Sequence, residues 1–435
     1  MMKIEFEKLL RRKALVALTV LALTAVYVWL AFYGIRDTFS GVSLGYFWEN
    51  AEYRQWKMSQ ETALVDEAWI ESIKADYKAF VDANMLSPED MENNIAKKKE
   101  AGFQIDYTAE EALKDPYNFD YAFGILTDDA LYSREMEYTY LEAFHTYIPL
   151  AENPVQYMHD SYDTSNYYME KDGGISYADY MGYSKGQQAD YWNFIDSTYG
   201  DLELVIGYSL GWDVLCSVMQ YLPFTLGMAL IVILGNVFSQ EQTANISPIL
   251  RTTKQGRSQL LRRKLGVGAV IATMLWLVFQ LVMLLAVALT YTLRGAACTA
   301  ACYNGLPSIY GLPWLRFYLT QCVFSYFGTL VFALFVCCMS SVLKLRLSMP
   351  VNLVLTVITG FPIDRFCYGD QAFSLLDKLR ALSPAQLMAS YPTLQVYQSY
   401  EFGQIIIQLP YMMAFAAIVE TILMLIFLRH REGGK

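Results

Sequence analysis

The chain has 435 residues, 54% of them apolar, a positive mean hydropathy of +0.23 and a formal net charge of −10. That apolar content excludes an ordinary soluble globule and points to several membrane-length segments. Only three histidines occur (His145, His159 and His430) and none stands in a His-Glu-x-x-His pattern, so a zinc enzyme is not expected; no Gly-x-x-x-x-Gly-Lys-Ser/Thr loop exists to cradle a nucleotide.

In chain order, residues 1–13 place Ile4, Phe6, Leu9 and Leu10 beside Lys8, Arg11, Arg12 and Lys13, which suits a basic interfacial helix or a topology-fixing flank. A first transmembrane helix is expected over 14–34; at about 20 apolar residues without a small-residue cleavage pattern, it reads as a retained span rather than a signal peptide. Residues 35–210 follow as one soluble domain with 33 Asp/Glu against 12 Lys/Arg, no cysteine and no Asn-x-Ser/Thr acceptor. The only acceptor sequence in the chain is Asn245-Ile246-Ser247, and the domain is not a disulfide scaffold; both absences fit a bacterial plasma membrane.

The domain is expected to be mainly helical. Trp69, Ile70, Ile73, Tyr77, Phe80 and Val81 fall on one helical face. Ser87-Pro88-Glu89-Asp90 opens a helix, and Thr108 with Glu111 has capping-box spacing before Pro116 closes the segment. Further helices are expected around 128–145 and 187–198. Residues 150–186 are rich in Tyr, Asp, Ser and Gly, with Asp172-Gly173-Gly174 as a turn. Twenty of the 33 tyrosines lie in 35–210, where packing is the ordinary reading and a peptide or glycan surface the alternative.

A second span is expected over 211–237, its continuous apolar run starting at 214. Segment 238–264 is polar and basic, yet carries helix punctuation: Ser239 with Gln242, then Ser247-Pro248, with Gly256 as an expected stop. Residues 265–363 hold spans three to five as apolar runs 265–293, 314–342 and 347–363, the last interrupted by Pro350, Asn352 and Pro362. Segment 364–404 reads as two short amphipathic helices at the membrane surface, the second opening at Ser383-Pro384. A sixth span over 405–428 precedes the basic tail 429–435. The expected class is therefore an all-α polytopic membrane protein with six transmembrane helices and a mainly helical extracellular domain.

Orientation follows from Lys and Arg in the short segments. Segments 1–13, 239–264, 343–348 and 429–435 carry 5, 6, 2 and 3, whereas 295–312 and 364–404 carry 0 and 3. Both termini and segment 238–264 are expected in the cytoplasm of a multi-pass plasma-membrane protein.

Several polar features inside this frame invite chemistry. Gly-x-Ser-x-Gly occurs at Gly41-Val-Ser43-Leu-Gly45 and at Gly207-Tyr-Ser209-Leu-Gly211, but beside spans rather than on a strand-to-helix elbow. The same glycines also make Gly-x-x-x-Gly, which permits close helix contact. Cys298 and Cys302 lack a second pair and read as ordinary loop residues. Glu420, inside the last apolar run, is an intramembrane polar candidate for a proton path or a substrate contact, with hydrogen bonding to a neighbouring helix as the plainer alternative. Gln280 and Asn352 are expected to be interhelical glue.

This layout resembles the permease subunit of ATP-binding-cassette exporters that have six helices per half and no fused ATPase. In motif the likeness rests on Glu241 after the second span, on Ile249-Leu250-Arg251-Thr252-Thr253 through Arg257, and on Lys264 entering the third. The proline usual after the threonine is absent, and Pro248 stands earlier. The resemblance implies that Glu241, Ile249, Leu250, Arg251, Thr252, Lys254 and Arg257 couple to a separate ATPase. Ile249 and Leu250 would fill an apolar groove, and the charged residues would form its polar rim. It further implies ATP and Mg in those ATPase subunits, no cofactor or enzymatic site in this chain, a second permease half, a lipid surround and no nucleic acid. Export or extraction of a peptide, antibiotic or envelope component is the expected function; a sensory or mechanotransmitting module without transport is the alternative.

Overall fold

The computed structural model describes residues 13–33, 48, 50–133, 135–163, 183–239, 256–300, 310–360, 375–389, 394 and 397–433. They are mostly helical and divide into two compact units. One comprises Met1–Gln60, Tyr162–Phe194 and Tyr208–Lys435; the other comprises Glu61–Ser161 and Ile195–Gly207.

The larger unit begins with α1 (Lys13–Tyr33), which buries Tyr27 and Ala31 while Leu15, Leu18, Leu21 and Trp29 stay exposed. A helix apolar on every side, yet packed on only one, suits a lipid surround. α2 (Ala51–Ser59) starts at Asn50, whose side chain accepts from the Tyr53 N–H at 3.0 Å.

The smaller unit is closed by a two-residue antiparallel pairing, β1 (Ala63–Leu64) against β2 (Val205–Ile206). Its helices start where the sequence places caps. α3 (Glu67–Asn84) buries Ile70, Tyr77 and Val81 from the expected stripe. α4 (Pro88–Glu100) is capped by Ser87, and α5 (Ala109–Lys114) has both bonds of a Thr108–Glu111 capping box. After α6 (Ala122–Ile125), the single helix expected over 128–145 is instead divided. α7 (Asp128–Leu131) gives way to π-helical turns at Met136–Tyr140 and Ala143–Tyr147. The wider turns let Tyr140 and Phe144 both meet Tyr77, at ring separations of 5.2 and 4.8 Å. α8 (Ile148–Glu152) and α9 (Pro154–Asp163) follow, so part of the tyrosine-rich stretch is helical. Asp172-Gly173-Gly174 lies outside the described residues. Tyr77 and Tyr140 belong to the core with Val81, Met91, Ile105 and Ile125, the packing role expected for most of these tyrosines.

The chain passes from one unit to the other within α10 (Lys185–Tyr199). The larger unit then continues as a bundle. α11 (Leu210–Val218) and α12 (Leu226–Leu234) are joined by a six-residue 3₁₀ segment, Met219–Phe224, that contains Pro223. α13 (Gly256–Thr290) and α14 (Trp314–Val342) are long and continuous. Gly256, expected to stop a helix, is itself helical at the described start of α13. α15 (Leu345–Gly360) precedes α16 (Leu375–Ala381), α17 (Pro384–Met388), a hairpin of β3 (Ser399–Phe402) with β4 (Ile405–Gln408), and α18 (Leu409–Leu428).

Among the described residues five segments are long and apolar enough to cross a membrane: Ala14–Phe32, Leu210–Leu234, Gln259–Thr290, Trp314–Val342 and Leu409–Arg431. The fifth run expected from sequence coincides with α15, an apolar helix described as far as Gly360. The last segment begins at Leu409 rather than 405, because Ile405–Gln408 pairs as a strand. A run of three isoleucines favours that extended pairing. The two ends of the bundle differ in chemistry. At one, the Tyr291 hydroxyl accepts from Trp48 Nε1 and donates to the Ala31 carbonyl, while the Tyr208 hydroxyl donates to the Tyr291 carbonyl. At the other gather Lys264, Lys344, Arg429 and Arg431. They are called here the aromatic and basic ends.

Candidate functional site

Three elements meet within the bundle. Pro223, in the 3₁₀ segment between α11 and α12, lies against Gly360, the last described residue of α15; a Cβ at Gly360 would stand 2.9 Å from Pro223 Cβ. α17 packs here as well. A Cβ at Gly328, in the middle of α14, would fall 2.4 Å from the Leu387 carbonyl carbon. The α17 residues Ala385, Gln386, Leu387 and Met388 are all buried, Ser383 caps them, and Gln386 Nε2 donates to the Thr359 carbonyl at 2.8 Å. The segment expected to rest on the membrane surface thus enters the bundle. Its small residues and capped backbone allow this, since non-helical backbone at such depth survives only where protein surrounds it.

The second locus is the basic end, where segment 238–264 leaves and rejoins the bundle. Lys264 is buried, donates to the Val237 carbonyl at 3.0 Å and sits 4.5 Å above the Phe238 ring. The hydroxyl of Ser340 on α14 accepts from the backbone N–H groups of Phe238 and Ser239, at 3.0 and 3.3 Å. From α15, Ser348 Oγ donates to the Gly235 carbonyl at 2.6 Å. Arg431, beyond α18, donates through Nε to the Ser341 carbonyl at 2.8 Å. Both described edges of the segment are therefore tied to one another and to the two neighbouring helices.

Of the coupling residues named from sequence, Glu241, Ile249, Leu250, Arg251, Thr252 and Lys254 lie outside the described residues, as does Gly41-Val-Ser43-Leu-Gly45. Arg257 falls at the described start of α13. Glu420 is half-buried in the middle of α18, on the helix face shared with Met413, Met424 and Leu428, and its Oε2 is buried without a hydrogen-bond partner among the described residues. The neighbouring-helix hydrogen bond suggested for this carboxylate is not made at that oxygen. Gln280 likewise makes no interhelical bond among the described residues, and Asn352 Nδ2 donates within its own helix, to the Ser348 carbonyl.

At Gly207-Tyr-Ser209-Leu-Gly211, Ser209 precedes α11 and is buried, not raised on an elbow. Gly211 serves close packing: a Cβ there would lie 2.1 Å from the Thr292 carbonyl oxygen. Cys298 is buried, and Cys302 lies outside the described residues. Asp213 is the residue sequence reasoning passed over. It lies one turn inside α11, 3% exposed, and accepts from Ser217 Oγ at 2.9 Å. Treating it as the edge of an apolar run hid it, although an acid in a helix's first turn is favoured by the backbone dipole.

The smaller unit holds an open groove of about 630 Å³ between α3 and the α7 region, with Asp76, Asp129, Glu135, Asn84, Phe80 and Tyr140 in its walls. Burial, with Glu135 alongside, holds the Tyr140 hydroxyl well above its ordinary range. Among the described residues no cluster of three or more His, Cys, Asp or Glu could hold a metal ion. No known protein family, curated protein or solved structure matches the chain.

Proposed function

We propose that this chain is the permease subunit of an ATP-driven transporter of the ATP-binding-cassette class, its ATP and Mg bound by separate ATPase subunits and its pathway completed by a second permease half. The observation that carries the reading is the bonding around Lys264. Force applied to segment 238–264 from outside the bundle reaches α12, α13, α14 and α15 without slack, because Ser340, Ser348 and Lys264 hold its edges. The interruption of the second span at Met219–Phe224 adds support, since broken helices at membrane depth mark the moving centre of many transporters. In this reading the basic end faces the cytoplasm, the smaller unit lies outside the cell, α15 counts as a sixth crossing, and the cargo is a peptide, antibiotic or envelope component.

The test is purification of the complex from its native membrane, with Arg251, Lys254 and Arg257 changed together to glutamate. The expected result is an ATPase that co-purifies with the native chain and is lost from, or made insensitive to cargo in, the triple variant. An ATPase that stays bound and cargo-responsive in the variant overturns this role for the segment. The groove in the smaller unit favours a second reading, a ligand-sensing module that alters ATPase activity without moving cargo. Transport into sealed vesicles separates the two.

A further inference from the structure

Helices α13 and α14 run antiparallel, as two contacts establish. Thr273 Oγ1 lies 3.2 Å from the Tyr326 hydroxyl, and Trp276 Nε1 donates to Ser325 Oγ at 3.1 Å. One turn closer to the aromatic end, four residues onward in α13 and four back in α14, the same register sets Gln280 level with Gln321. The two are 5% and 0% exposed, and in each carboxamide neither the nitrogen nor the oxygen has a hydrogen-bond partner among the described residues. Buried amides are almost always satisfied, so two carboxamides at one level of neighbouring helices, with all four heavy atoms unpartnered among the described residues, call for an occupant.

The surroundings extend the polar layer. The fully buried Tyr27 of α1 also has an unpartnered hydroxyl, and its ring lies 5.7 Å from that of Phe279, next to Gln280. Tyr27 is within electrostatic reach of Cys322, next to Gln321, and of Cys216 on α11, which in turn reaches Asp213. Between Lys264 and Arg294, and between Arg316 and Lys344, the sequence of α13 and α14 has no charged residue. The pair therefore presents donors and acceptors without net charge.

We propose that Gln280 and Gln321 form a binding site between α13 and α14 for a small uncharged group that both donates and accepts hydrogen bonds, and that water occupies it in the resting protein. Water suits the chemistry, since a buried molecule makes about two to four hydrogen bonds and the two carboxamides supply both donors and acceptors. The inference rests on the bundle alone and is independent of the transport reading.

The direct experiment is a density map of the full chain in lipid nanodiscs, at a resolution that reveals ordered water. A peak within hydrogen-bond distance of both carboxamides is expected; direct amide-to-amide contact, or an empty gap, overturns the proposal. Thermal unfolding of Gln280→Leu, Gln321→Leu and the double variant supplies a second readout. Each single change is expected to lower the Tm, because it strands the opposite amide and its water, and the double change to recover part of that loss. Single changes that raise the Tm, with additive effects, would mean a dry site and end the idea. If the variants fail to fold, the map of the native chain decides.

Discussion

Two buried lysines, one in each unit, share a carbonyl-and-ring device, to which Lys98 adds an ion pair with Asp128 at 3.2 Å. Lys98 donates to the Phe123 carbonyl at 2.8 Å and lies 4.7 Å above the Phe123 ring; Lys264 repeats the device with Val237 and Phe238. An ammonium kept from water needs both a strong acceptor and a polarisable neighbour. Replacing Lys264 by methionine keeps the bulk but orphans the Val237 carbonyl, so it should destabilise the bundle by about 2 kcal/mol, read as a lowered Tm in detergent. The opposite sign is expected at Tyr77, whose hydroxyl is buried without a partner among the described residues. Tyr77→Phe deletes an unsatisfied group and should stabilise by about 1 kcal/mol. Glu111 offers a pH test. The Thr108 backbone N–H, then its hydroxyl, donate to this carboxylate and hold its pKa below the ordinary glutamate value. The capping contribution is therefore complete above the ordinary value and disappears as pH falls through the lowered one. NMR titration of the full chain should find Glu111 the later glutamate to protonate, and Thr108→Ala should move it part of the way back.

At the scale of elements, glycines locate where backbone meets backbone. Alanine at Gly328 has no room beside Leu387, so Gly328→Ala should drive α17 from its seat and cost more than about 2 kcal/mol. Gly266 meets nothing within 4 Å inside the same type of helix, and Gly266→Ala should gain roughly 0.5–1 kcal/mol by the helix preference of alanine. Chemical denaturation of the two variants side by side checks both. Element starts were legible in the sequence wherever a local bond makes them: Ser87, Thr108 and Ser383 cap as their spacing indicates, because a cap involves residues only three apart. The interruption at Met219–Phe224 and the burial of α17 were not legible. An apolar run looks the same whether a helix continues or breaks, and the seat of α17 is formed by Gly328, some 60 positions away in sequence. The β3–β4 hairpin hid for a related reason, its isoleucines merging with the apolar residues of α18.

For the whole molecule, hydropathy alone revealed four spans within a few residues of their helices, since the energy of leaving water depends on composition and not on partners. The domain boundary was harder. Residues 35–210 read as one acidic block, yet the compact unit takes Glu61–Ser161 and Ile195–Gly207, while α2 and the first part of α10 belong with the bundle. Net charge does not distinguish them; packing does. Within the bundle, Tyr183 donates to the Tyr397 carbonyl, and Gln187 Nε2 donates to the Ser399 carbonyl at 3.0 Å. These bonds fasten the start of α10 to the β3 end of the hairpin that leads into α18, a partnership that no local pattern announces. The candidate coupling residues of segment 238–264 were legible only as helix punctuation.

The bond from Gln386 to the Thr359 carbonyl has a consequence for how the protein is made. A nascent chain that has emerged only as far as Gly360 has not yet made that donor, and backbone polar groups at membrane depth need protein partners. The final seating of α15 must therefore wait until Ser383–Met388 has arrived and Gln386 donates to it. Synthesis should therefore deliver α15 late and as part of a cluster. In a translocation assay on staged truncations, chains ending before about residue 390 should retain α15 in a protease-accessible form, and longer chains should protect it.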